Sequence, residues 1–144
     1  MPKEPNPALS TQGLRRMFVR NPIIERFGLE VVSVEPGAAV LRFPYREEFT
    51  QYQGAVQGGV ISAYADAAIA VAMATVAPDE RDFVTTDLHV WFLRPIKSGP
   101  ILARARVVNR GNALMLGSAV VEVEGGEVCA RAMATNMLVS PRTP

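Results

Sequence analysis

The stretch "QYQGAVQGGVISAYADAAIAVAMATV", Gln51–Val76, decides how this chain folds. Beyond Gly58-Gly59 it runs for about eighteen residues in Ala, Ile, Val and Met, a length and composition that predict a helix rather than a strand. Apolar nearly all round, such a helix must be enclosed. Its single acidic or basic side chain is Asp66, near the middle of the run from Val60 to Ala77. A carboxylate there is costly in lipid, so the run reads as a buried helix and not a membrane span. Pro78-Asp79 is expected to stop it.

Outward from this helix the chain changes character. Upstream, "FGLEVVSVEPGAAVLRFPY" predicts a hairpin of two strands, Leu29 to Val34 and Ala39 to Phe43, turned by Pro36-Gly37. Before it, Ser10 is a candidate cap for a short helix carrying Leu14, Met17 and Phe18, ended by Asn21-Pro22. Downstream, "FVTTDLHVWFLRP", "PILARARVVNRG", "ALMLGSAVVEVEGG" and "EVCARAMATNMLV" are four strand-like runs separated by Gly, Pro and Asn. Alternation in "LARARVV" puts Ala103, Ala105 and Val107 on one face and Arg104 and Arg106 on the other.

The economical arrangement is α+β: one antiparallel sheet curled around one long central helix, with a single core. Residues 1–26 read as a tail with a short helix and residues 27–140 as one domain, a size suited to the 144-residue chain.

Composition narrows the function classes. Fifteen Lys plus Arg against fourteen Asp plus Glu leave a net charge of +1 with no basic tract, so nucleic acid is not an expected partner. One cysteine, Cys129, and one histidine, His89, make a Cys/His metal site or an internal disulfide unexpected and fit a reducing cytoplasm. The opening "MPKEPNPALSTQG" does not read as a signal peptide. With 49% hydrophobic and only 20% charged residues, some apolar surface is expected to meet another subunit.

Chemistry points to the same helix. The start of a helix carries unpartnered N–H groups and partial positive charge, and a glycine there lets a carbonyl approach closely. Gly58 is therefore a candidate oxyanion donor for acyl transfer, and Asp66 a candidate nucleophile or base. Eight residues of helix separate them by roughly 12 Å along the axis, too far for one reacting carbonyl. Two such helices packed antiparallel about a two-fold bring Gly58 of one subunit beside Asp66 of the other, so the catalytic reading predicts a dimer with two identical sites. The plainer alternatives are that Gly58-Gly59 is only a tight loop entry and that Asp66 is a structural carboxylate.

The segment "GAVQGGVISAYADAAIAVA" resembles the central-helix motif of hotdog-fold acyl-CoA thioesterases, especially the phenylacetyl-CoA and 4-hydroxybenzoyl-CoA types. There a Gly, two residues, His-Gly-Gly and then an Asp seven residues after the second Gly mark the helix. "TTDLHVWFLRPIKSGPILARARVVNRG" is similar to that family's next segment, and the likeness runs from Phe27 to Val139.

The resemblance implies hydrolysis of an acyl-CoA thioester without metal or redox cofactor, by a homodimer that pairs further into a tetramer in many members. It implies that the Gly58 N–H polarises the thioester carbonyl and that Asp66 acts from the facing subunit. Gln51 then contacts the substrate or its water, and Thr85 orients the water or the carboxylate. Gln57 stands where the family has histidine, beside Gly59 in the substrate-binding segment. Arg94, Lys97 and Arg110, at strand ends, are the candidate contacts for CoA phosphates. "RGNAL" departs from the family's usual Gly-Arg around Arg110. The competing functions are a non-catalytic acyl-CoA binder and a hotdog hydratase or dehydratase, for which His89 is the only available histidine. Tyr64, Phe83 and Trp91 are candidate walls of an acyl pocket.

Overall fold

The computed structural model describes residues 17–18 and 21–141. Six strands form one antiparallel sheet: β1 (Glu30–Glu35), β2 (Ala38–Phe43), β3 (Asp82–Phe92), β4 (Ile101–Arg110), β5 (Leu114–Val123) and β6 (Val128–Val139). They lie side by side in the order β1-β2-β4-β5-β6-β3. Helices α1 (Pro22–Phe27) and α2 (Gly58–Ala74) complete the fold, with a 3-10 turn at Glu47–Phe49. Between β2 and β3 the chain crosses from one side of the sheet to the other, and α2 makes that crossing. Strands β1 and β3 are consequently the two edges.

The expected hairpin forms, with its first strand one residue later than read and its second starting one residue earlier. Pro36 and Gly37 fill a two-residue connection closed by Glu35 opposite Ala38, with Gly37 at φ 79°, the left-handed conformation that a Pro-Gly turn requires at its second position. In β4, Ala103 and Ala105 are buried and Arg104 and Arg106 exposed, as the alternation predicts.

Helix α2 lies on the sheet through small residues. Ala65, Ala68 and Ala72 on the helix and Ala103, Ala130 and Ala134 on the strands are all buried, so helix and sheet approach closely. The tightest contact is at Gly117 of β5, where an added Cβ would stand 2.6 Å from Ile69 Cγ2 and 2.9 Å from Met73 Cε.

One helix end differs from expectation and one goes beyond it. Asn21 is non-helical, as the expected stop at Asn21-Pro22 requires, but Pro22 also starts a new helix: it occupies the first position of α1, where its missing N–H costs nothing. Met17 and Phe18 are helical; the expected Ser10 cap and Leu14 lie outside the described residues. Phe27 then seals the end of the core, its ring edge-on to Phe43, Phe49 and Tyr64 at 6.4, 5.7 and 5.1 Å. At the other helix, α2 stops at Ala74, three residues before Ala77 and well ahead of Pro78. Thr75 ends it: its hydroxyl donates to the Ala72 carbonyl at 2.6 Å and accepts the Gly37 N–H at 2.7 Å, tying the helix end to the β1–β2 turn.

The sheet does not enclose α2 on every side. Ser62, Ala63, Asp66, Ala67 and Ala70, at helical spacing, remain partly exposed in the single chain. Among the described residues no helix is long and apolar enough to cross a membrane.

Candidate active site

The loop before α2 is held from three directions. Gln51 N–H donates to the Ala55 carbonyl at 2.8 Å, Gln57 N–H to Phe49 at 2.9 Å, and Val56 N–H to Ile96 beyond β3 at 2.9 Å. Gln57 then caps α2: its Oε1 accepts the Val60 N–H at 3.2 Å. The glutamine that replaces the family's histidine thus has a definite task at the helix start. Gly59 accommodates it, because a Cβ there would stand 2.8 Å from that same Oε1.

Gly58 opens onto a cleft of about 310 Å³ that Gln51, Ala55, Val56, Ile61, Phe92, Leu93, Arg94 and Pro95 also line. Phe92 covers the glycine, its ring 3.3 Å from where a Cβ would be. The N–H groups of Gly58 and Gly59 have no acceptor among the described residues, as expected for the first turn of a helix. Arg94 stands at the rim, held by Glu127 at 2.7 Å and by the Val128 carbonyl at 2.9 Å.

Gln51, Gly58 and Arg94 are therefore brought together with Gln57 and Gly59 beside them, Asp66 and Thr85 form a separate pair, and Lys97 and Arg110 stand apart. Lys97 is exposed beyond the cleft. Arg110 lines a different cleft with Arg81, whose guanidinium binds the Leu138 and Val139 carbonyls beside the start of β3. The length of that strand, roughly 30 Å, separates Arg110 from Arg94 within one chain.

Asp66 is on the partly exposed face of α2 and not among the residues of the Gly58 cleft. Its Oδ1 accepts a hydrogen bond from Thr85 Oγ1 at 2.9 Å. Thr85 reaches it because of an irregularity in β3: the pairing with β6 slips between Thr85 and Asp87. In an unbroken strand Thr85 would share a face with Asp87, His89 and Trp91. The bulge reverses the phase, so Thr85 faces α2 whereas Asp87, His89 and Trp91 line a separate cleft with Leu116 and Met133.

Behind Thr85 lies Asn136 of β6, 1% exposed and 3.0 Å from the Thr85 hydroxyl. The sequence reading missed it, although a lone amide inside the apolar run "ARAMATNMLV" was the available signal.

The three aromatic candidates are also sorted. Tyr64 is core, stacked on Phe43 at 3.9 Å; Phe83 packs against the core; and Trp91 faces outward, stacked on His89 at 6.2 Å. Phe92, one residue later and so on the opposite face, is the aromatic side chain at Gly58.

The sequence profile described as Thioesterase superfamily matches residues 53–130, which span the loop, α2, β3, β4 and β5. The chain belongs to the thioesterase superfamily. A protein of Saccharolobus solfataricus named as a candidate esterase is 30% identical over 129 residues, covering 90% of this chain and 85% of that one. A thioesterase family protein of Silicibacter pomeroyi superposes with a TM-score of 0.83 at 29% identity, over 90% of this chain and 98% of that one. The phenylacetic acid degradation protein PaaI of Thermus thermophilus gives 0.74 at 30% identity, over 81% and 98%. The sheet wrapped on one long helix is thus the hotdog fold, and thioester hydrolysis is the activity of this family.

Proposed function

We propose that the protein hydrolyses an acyl-CoA thioester at two equivalent sites, each built from Gly58 of one subunit and Asp66 of its partner. The observation that carries this reading is the separation of the two halves of the chemistry along β3. Gly58 lies under Phe92, the last residue of the strand, and Asp66 is bound to Thr85, the fourth. Strand β3 is a sheet edge, and an unpaired edge is a template for a second strand. Antiparallel pairing with a copy of itself, Thr85 opposite the partner's Phe92 and the bulged Thr86 left out of the count, puts the two-fold at His89. Directly opposed residues have Cβ atoms about 5 Å apart, which brings Asp66 to the partner's Gly58 cleft. The same pairing lays the partly exposed Ala63, Ala67 and Ala70 against a partner and carries Arg81 and Arg110 to the end of the dimer where the partner's Arg94 stands.

In this site the thioester carbonyl oxygen accepts the Gly58 N–H, whose position at the start of α2 adds partial positive charge where the oxyanion develops. Asp66 either attacks the carbonyl carbon, giving a mixed anhydride that water then opens, or removes a proton from a water that attacks directly. In both routes the C–S bond breaks and CoA leaves as thiolate. Gln51 contacts the substrate or its water, and Arg94, with Lys97 and the partner's Arg110, meets the CoA phosphates. Phe92 and Leu93 wall the acyl group. The hydratase alternative is disfavoured because His89 pairs with Asp87 at 2.9 Å on the opposite face of the sheet from Asp66.

Thiol release from phenylacetyl, benzoyl, short-chain and medium-chain acyl-CoAs tests the reading, with native protein and Asp66→Asn side by side. Turnover of one class that collapses in the folded variant is the expected result. Binding of acyl-CoA with no turnover by native protein would contradict it and favour the non-catalytic binder.

A further inference from the structure

We infer that Asn136 is a positioning residue that acts on Asp66 through the Thr85 hydroxyl, its side-chain amide donating to Thr85 so that Thr85 must donate to the carboxylate. The inference rests on the proposed role of Asp66 and adds a residue to it.

Three observations carry it. Thr85 Oγ1 lies 2.9 Å from Asp66 Oδ1 and 3.0 Å from the oxygen assigned to the Asn136 amide. A hydroxyl has one proton, and an ionised carboxylate and an amide oxygen are both acceptors only, so Thr85 cannot donate to both. The Asn136 Nδ2, meanwhile, is buried with no protein partner among the described residues, in a side chain that is 1% exposed. Buried amide N–H groups are rarely left unpaired, and the oxygen and nitrogen of an amide are distinguished only through their hydrogen bonds.

Turning the amide by a half rotation resolves the conflict at Thr85 and gives the buried donor its acceptor. Nδ2–H then donates to Thr85 Oγ1, and Oγ1–H donates to Asp66. The chain of bonds has one direction and ends on the carboxylate. Each bond in such a chain polarises the next. Asp66 sits on a partly exposed helix face with no other side-chain partner given by its hydrogen bonds, so Thr85 is what fixes its rotamer, and Asn136 is what fixes the proton of Thr85. The bulge between Thr85 and Asp87 is the backbone feature that aligns the three, since Thr85 pairs directly with Asn136 just before the register slips.

The test combines kinetics with a readout that does not need turnover. In the native protein, nuclear Overhauser contacts from the Asn136 side-chain amide protons to Thr85 Hβ are expected; their absence, with the amide protons instead remote from Thr85, overturns the inference whatever the enzyme hydrolyses. In kinetics, Asn136→Leu is expected to lower kcat about threefold to tenfold with KM within about twofold, the range for a lost hydrogen bond between neutral groups. Thr85→Val is expected to lower kcat at least as far, and Thr85→Ser to retain it. The double variant Thr85→Val with Asn136→Leu is expected to be no slower than Thr85→Val alone, because Asn136 has no route to Asp66 except through the hydroxyl. A further loss in the double variant, or native kcat in folded Asn136→Leu, overturns the inference. Full turnover by Asp66→Asn would instead overturn the function on which it rests, and the amide contacts then still decide the orientation of Asn136.

Discussion

In the proposed mechanism Asp66 is the residue on which the chemistry turns, and it stood out in the sequence as the one ionisable side chain inside an alanine-rich helix. Asp66→Asn keeps the shape and an acceptor for Thr85 while removing the charge. Its kcat is expected to fall about a hundredfold to ten-thousandfold, with an unchanged melting temperature, measured by thiol release and thermal unfolding. Thr85 was legible only through the family resemblance, since its direction depends on a bulge that composition does not reveal. Asn136 showed only as a lone amide in an apolar run and Phe92 not at all: one takes its place from a neighbour 51 positions away in sequence, the other from a strand phase reset at the bulge. Tyr64 gives a prediction of a different kind. Burial pushes its phenol above the ordinary tyrosine range, with Arg46 opposing more weakly. The unfolded chain therefore ionises first as pH rises, and the stability held below about pH 10 drains away above it. Urea unfolding between about pH 9 and 11 should show a shallower loss for Tyr64→Phe than for native protein.

Among the elements, every strand and the long helix were readable from period and punctuation, to within three residues for the strands. The helix ends were not, because they depend on partners. Pro22 follows one helical segment and opens the next, and that second helix, which ends in the Phe27 cluster, is the part the sequence did not show. Pro78 is a sound breaker that α2 never reaches, since Thr75 has already bonded to both the helix and the Gly37 turn. Thr75→Val removes both bonds and leaves the Gly37 N–H without that acceptor, an expected loss of about 1–3 kcal/mol by denaturant unfolding. Gly117 is the tightest contact between β5 and α2. Gly117→Ala forces a Cβ into Ile69 and Met73 and is expected to cost about 1–3 kcal/mol, with the midpoint of urea unfolding lowered and its slope unchanged.

At the scale of the molecule, the sheet and helix of one chain are complete as a fold, while the proposed site needs a second subunit. The Gly58 cleft includes Gln51 and Arg94 but no acidic residue among those described, and Asp66 stands on the face of α2 that the sheet leaves partly exposed. Phe92 and Leu93, each about half exposed at the end of the β3 edge, continue that uncovered surface. The low charge of the sequence anticipated such a surface without locating it. A dimer paired along β3 covers it and joins the two half-sites. The most direct measurement mixes two inactive proteins: Asp66→Asn, which keeps its Gly58 cleft, and Gly58→Leu, which keeps its Asp66. If each site takes one residue from each subunit, refolding an equal mixture should restore about a quarter of native turnover, since half of the dimers are mixed and one of their two sites is intact. No recovery from a mixture that demonstrably contains mixed dimers would contradict the shared site.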